Sequence, residues 1–183
     1  MPFLPSLPPG ASLVDVFKAF PETSKPLIEF HEVLLRGPSL FTEAQRELVA
    51  AYVSGLNRCR YCHGVHTATA ERLGVAQGVV DQLLEGVETA GVPEKMKPVL
   101  RYARNLTQDP RGVTKADADA VFAAGWGETA LYHVVAVTAL FNFMNRLAEG
   151  LGIELDPAYV KPASERLAER GYLPLLRLAG ISP

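Results

Sequence analysis

Glu47-Leu-Val-Ala-Ala-Tyr-Val-Ser-Gly-Leu-Asn57-Arg-Cys59-Arg-Tyr-Cys62-His-Gly-Val-His66 is the stretch from which the rest of the chain can be read. An apolar run opened by a carboxylate is broken at Ser54-Gly-Leu-Asn57. Two cysteines three apart follow, with a histidine four residues after the second. Asn57 is a suitable N-cap, so the spacing predicts a helix over 58–73 that stops at Gly74. At about 100° per residue, Cys59, Cys62 and His66 fall on one face of that helix, and Cys62 and His66 are neighbours one turn apart.

The thiolate, not the thiol, is the nucleophile, and a free cysteine with a pKa of about 8.5 is mostly protonated at neutral pH. A helix N-terminus favours negative charge on both sulfurs. His66 can take the Cys62 proton, and Glu47 on the preceding helix can orient His66, a nucleophile–base–orienter arrangement. In this reading Cys62 attacks a peroxide and becomes a sulfenic acid. Cys59 then condenses with it to a disulfide, and an external dithiol resets the pair by exchange. The opposite assignment stays open, since thiol oxidoreductases with this spacing often use the first cysteine as exchange nucleophile. His66, one turn beyond Cys62, favours Cys62 for the peroxide and Cys59 for the reductant.

Working outward, the periodicity is helical almost throughout. Helices are expected over about 15–20, 25–36 with Ser24 as N-cap and Gly37 as stop, and 43–55 with a Thr42/Gln45 capping box. Further helices are expected over 76–85, 97–107 with Pro98 in its first turn, 114–124, 128–149 and 162–170, before a Leu-rich tail at 172–178. Residues 1–10 hold four prolines and read as an extended arm. The segments 47–75 and 128–153 share a loose shape. That shape reads equally as a decayed internal repeat and as two ordinary helices ending in glycine. With 183 residues, the expectation is one all-α domain.

Composition narrows the classes of function. Hydrophobic content of 48% with 21% charged residues is that of a soluble globular chain, and a net charge of −2 argues against nucleic-acid or anionic-lipid partners. The most apolar segment, 129–144, is interrupted by His133 and Asn142 and is too short to span a bilayer. With no basic, apolar leader at the N-terminus, a cytoplasmic location is expected. There a close cysteine pair points to redox chemistry or a metal rather than a structural disulfide. Zinc is the competing reading, with Cys59, Cys62, His63 and His66 as donors, although zinc ligands usually converge from two elements. His133, Asn142 and Asn145 are expected to bond between helices or across a subunit interface. His31 is expected at a surface or helix contact, His63 either beside the site or at the surface, and Trp126 as a packing anchor. The long apolar helix and the tail point to a homo-oligomer.

Glu47, Cys59, Cys62 and His66, approached through Ser54-Gly-Leu-Asn57, resemble the core of the alkyl hydroperoxidase D / carboxymuconolactone decarboxylase superfamily, most of all its peroxidase-related branch. The resemblance implies an all-α fold, homo-oligomers and antioxidant reduction of hydroperoxides by the cysteine pair. It implies no cofactor, and a dithiol or lipoyl-bearing protein as reductant. The decarboxylase branch lacks the pair and acts on a muconolactone. One position departs from the pattern: Tyr61 stands where the alkyl hydroperoxidase has a histidine serving the first cysteine. That departure keeps a general thiol–disulfide oxidoreductase as the alternative activity, with a zinc or interaction module behind it.

Overall fold

The computed structural model describes residues 1–182, and among these every regular element is helical. In chain order the α-helices are α1 (Leu13–Ala19), α2 (Pro21–Arg36), α3 (Glu43–Leu56), α4 (Arg60–Arg72), α5 (Val79–Glu85), α6 (Lys97–Gln108), α7 (Lys115–Ala123), α8 (Glu128–Gly150), α9 (Pro157–Arg170) and α10 (Pro174–Leu178). Short 3-10 turns precede and follow α6, at Glu94–Met96 and Pro110–Gly112.

The α3–α4 hairpin is the centre of the bundle. Thr42 starts α3 with the expected capping box: its hydroxyl accepts from Gln45 N at 3.2 Å and its own N–H donates to Gln45 Oε1 at 2.9 Å. Every residue of α3 from Arg46 to Ser54 is buried, as befits a helix enclosed by others rather than lying on a surface. α8 packs on α3, α6, α2 and α4, α9 covers α4, and α5 and α6 close the other side of α3. α1, α2 and α10 pack together.

Several boundaries differ from expectation, each for a local reason. α2 begins at Pro21, not after Ser24. Proline suits the first turn of a helix, and the Ser24 hydroxyl donates to Phe20 O inside that turn at 2.7 Å. α9 likewise begins at Pro157, capped by Asp156, whose carboxylate accepts from Ala158 N at 2.9 Å. Gly78, at φ 79°, delays α5 to Val79. Residues 1–10 are not an extended arm. They fold into turns (Leu7 N to Leu4 O, Ala11 N to Pro8 O), bury Leu7, and bond to the end of α8 through Phe3 N and Leu151 O at 2.9 Å.

The largest departure is at the start of α4. Asn57 does not cap it. Arg58 has φ 57°, among the described residues the one non-glycine with positive φ, and Cys59 is the N-cap. A left-handed residue ends α3 and re-aims the chain within 57–59, so the helix cannot begin until Arg60. This conformation carries a cost that glycine would avoid. Arg58→Gly is therefore expected to leave stability unchanged or raise it by up to about 1 kcal/mol, and Arg58→Val to lower it by about 1–2 kcal/mol, in urea unfolding.

Candidate active site

The site is organised by a carboxylate. Glu47 has no exposed surface and lies on the buried side of α3. Its Oε1 accepts two hydrogen bonds, from Arg36 Nη2 at 2.7 Å and from the Tyr172 hydroxyl at 2.8 Å. Its Oε2 faces His66 Nδ1 at 2.7 Å. Burial by itself pushes the carboxyl up. The neighbouring His66, first, and then Arg36 and Tyr172 overcome that and bring Glu47 down to about 2. Burial and the Glu47 charge push the Tyr172 phenol well above its usual range, so it stays a donor. Because the carboxylate can only accept, Nδ1 is the protonated nitrogen of neutral His66 and Nε2 is the one able to take a proton.

Packing fixes the His66 ring. The Phe141 edge meets it at 4.6 Å, and Tyr172 stacks on its other side at 6.5 Å and 13°. His31 lies beside Tyr172, ring centroids 5.2 Å apart, with Nδ1 donating to Leu27 O at 2.7 Å. The rings of His31, His66 and Tyr172 line a cavity of about 60 Å³ between α1, α2, α4, α9 and the C-terminal segment. Tyr61 lines it too. Its hydroxyl accepts from Leu13 N at 3.3 Å and its ring stacks on Tyr159, so it holds α1 and α9 to α4 rather than relaying a proton to Cys59.

The two cysteines are free and buried, at the N-cap and in the first turn of α4. The turn that carries them is tied to α8. Asn57 Nδ2 donates to Asn142 and Asn145, and Asn145 Nδ2 donates to the Ser54 hydroxyl at 3.0 Å. The thiols are neighbours, and their interaction separates their acidities. At Cys59 the Cys62 thiol, together with the Cys62 backbone N–H, outweighs burial and lowers the pKa. At Cys62 the same interaction, burial and the neighbouring sulfur push it well above the usual range. Cys59 is thus the more acidic thiol of the pair and Cys62 the less acidic.

Residues 21–105 match the carboxymuconolactone decarboxylase family model. No curated protein matches the chain in sequence. Among solved structures the fold is similar to a peroxidase-related protein from Silicibacter sp. TM1040, at TM-score 0.75 and 22% identity over 81% of this chain and 78% of that one. It is similar to a second peroxidase-related protein with an alkylhydroperoxidase AhpD core, from Ralstonia eutropha JMP134, at TM-score 0.73 and 23% identity over 79% and 76%. A third is the debrominase Bmp8, solved with 2,3,4-tribromopyrrole, at TM-score 0.68 and 16% identity over 84% and 81%. The matched segment is similar to the carboxymuconolactone decarboxylase family, and the fold is shared with these alkyl hydroperoxidase D-like structures.

Against that superfamily's pattern, the fold brings Glu47 and His66 into contact and sets Cys59 and Cys62 side by side. The zinc donors do not assemble. His66 is held by Glu47, His63 Nδ1 donates to Ala51 O at 3.1 Å, and among the described residues no three His, Cys, Asp or Glu side chains are placed to hold a metal. His133 bridges α8 to the segment around α2, donating through Nε2 to Leu34 O at 2.7 Å and facing Ser39 Oγ through Nδ1 at 3.1 Å. Asn142 and Asn145 bond between helices of the same chain. Trp126 does anchor packing, against Phe41 at 4.4 Å. No helix of the described residues is long and apolar enough to cross a membrane. Arg36, Tyr172 and His31 are the site residues that the motif does not announce. Arg36 and Tyr172 lie 11 and 125 positions from Glu47, and only the pairing demand of a buried charge could have called for partners.

Buried His31 makes stability depend on pH. Burial, above all, lowers its pKa to about 4, from 6.5 in the unfolded chain. Between those values the unfolded state binds a proton that the folded state refuses. Stability is therefore complete above pH 6.5 and falls as pH drops, by about 1.4 kcal/mol per pH unit across that window. Glu47 adds to the loss only below about 4.5, as pH falls toward 2. Urea midpoints at pH 7, 5.5 and 4.5 are expected to show this slope in the wild type, and a slope shallower by about one proton in His31→Asn.

Proposed function

We propose that the protein is an antioxidant thiol peroxidase that reduces hydroperoxides through Cys59 and Cys62, with His66 and Glu47 as proton relay. The observation that carries this reading is the 2.7 Å contact of Glu47 with His66, one helical turn beyond Cys62 on the helix whose start carries both free thiols. His66 Nε2 takes the Cys62 proton as its sulfur attacks the terminal oxygen of the hydroperoxide. The O–O bond breaks, the alkoxide takes the proton back from His66 and leaves as the alcohol, and Cys62 becomes a sulfenic acid. The Cys59 thiolate then attacks the Cys62 sulfur. Hydroxide leaves, is protonated to water, and a Cys59–Cys62 disulfide forms. A dithiol such as a lipoyl group, carried on a partner protein, takes up the oxidising equivalent by attacking Cys59.

The lowered pKa of Cys59 supports its role as the thiolate that closes the disulfide on the Cys62 sulfenic acid. The same observation favours the second reading, a thiol–disulfide oxidoreductase that turns over protein disulfides and no peroxide. A homo-oligomeric, cytoplasmic form accompanies the first reading. The exposed Phe20, Phe30 and Phe143, which line one apolar groove, support the oligomer.

Peroxide consumption with dihydrolipoamide tests the proposal. The wild type is expected to turn over and to trap a Cys59–Cys62 disulfide when reductant is withheld. Cys59→Ser should consume a single equivalent and stop, and Cys62→Ser should consume none. His66→Asn should slow the reaction about a hundredfold or more. Full turnover by Cys62→Ser would end the peroxidase mechanism. Rapid reduction of protein disulfides by a wild type inert to peroxide would establish the second reading in its place.

A further inference from the structure

Glu47 divides its two oxygens between two tasks. Oε2 meets His66 alone, and Oε1 is filled by Arg36 and Tyr172. Both donors are held in place before they reach the carboxylate. Arg36, the last residue of α2, also donates to Leu35 O and to Leu167 O on α9, both at 2.9 Å. Tyr172 follows Gly171, whose φ of 68° turns the chain sharply out of α9. Its backbone N–H and that of Leu173 donate to Glu32 Oε2 at 2.6 and 3.2 Å, and its ring lies 5.1 Å from the Arg36 guanidinium carbon. The segment after α9 is thus pinned to α2 so that one phenol reaches the centre of the bundle.

We propose that Arg36 and Tyr172 are positioning residues of the proton relay: by occupying Oε1 they leave Oε2 alone to accept from His66 Nδ1, which keeps Nε2 bare to receive a thiol proton. The inference rests on the Glu47–His66 relay described above and extends it to the C-terminal segment. A carboxylate with two donors on one oxygen is a weaker base at the other. The proton of the pair then stays on the imidazole, and the imidazole is less readily held in its doubly protonated form. The charged and titratable groups around Glu47 leave this task to these two. From α2, His31 is buried and bonded to Leu27 O, and Glu32 is occupied by backbone N–H groups. On α3 itself, Glu43 faces Arg36 at 3.6 Å, and Arg46 is spent on the carbonyls of Leu34, Gly37 and Thr42. α4 contributes His66.

Tyr172→Phe keeps the ring and removes only the hydroxyl. A stronger Glu47 base then holds His66 doubly protonated to higher pH. The acid edge of peroxide turnover, the pH at which the rate falls by half, is expected to rise by about one pH unit in Tyr172→Phe. It should rise further in Arg36→Met and return toward the wild-type position in Arg36→Lys, which restores the charge. A purely structural role would lower the unfolding temperature and leave the edge in place. If Arg36→Met does not fold, Tyr172→Phe decides alone. A second readout needs no substrate: the low-field proton resonance of His66 Nδ1–H, expected in the wild type and displaced in Tyr172→Phe. If the wild type consumes no hydroperoxide, the peroxidase reading fails while this resonance still decides the positioning role. An unmoved acid edge in an active enzyme, a resonance identical in wild type and Tyr172→Phe, or no such resonance in the wild type would each overturn the proposal.

Discussion

A carboxylate without solvent is the constraint around which this bundle is built. Moving an ion out of water costs several kcal/mol even after relaxation, and the loss is recovered only by close, well-aligned partners. Glu47 finds three, from the end of α2, from α4 and from the segment after α9. Those contacts tie four separate parts of the chain to one point. They also explain why Arg36 is buried as a partner of Glu47 rather than lying in solvent, and why the tail turns inward at Gly171 instead of running on as a helix. Satisfying the charge and orienting His66 are the same set of hydrogen bonds seen from two sides.

A second constraint sits at the other end of the site. Two sulfurs must lie close together at the start of α4, and the chain achieves this with a left-handed residue at Arg58 and an amide network from α8. The network joins Ser54, Asn57, Asn142 and Asn145, so the polar residues that interrupt the apolar α8 hold the turn beneath the thiols. With Cys59 at the N-cap and Cys62 in the first turn, the nearness of Cys62 lowers the Cys59 pKa. The pair is thereby polarised, one thiol made more acidic and the other less.

Much of this was legible in the residues. The helical periodicity, the Thr42/Gln45 and Thr114/Asp117 caps, and the spacing from Glu47 to His66 pointed to the all-α architecture and to the pairing of carboxylate with imidazole. These are local signals: a cap is read within four residues, and a helix face within two turns. Where local rules competed, the reading failed. Asn57 is as good a cap by type as any, yet its side chain is taken by Asn142 and Asn145, and the strained backbone at Arg58 gives the N-cap to Cys59. The prolines of residues 1–10 suggested an arm, but contacts with α8 fold it into turns.

By itself, then, the sequence determined the fold class, the close cysteine pair and the pairing of Glu47 with His66, because each rests on local spacing. Tertiary structure alone decided that Arg36 and Tyr172 fill the second oxygen of Glu47, that His31 is buried, and which thiol is the more acidic. The reason is physical. Buried charge demands partners without naming them, and partners supplied from 11 and 125 residues away are selected by packing, which no periodicity records.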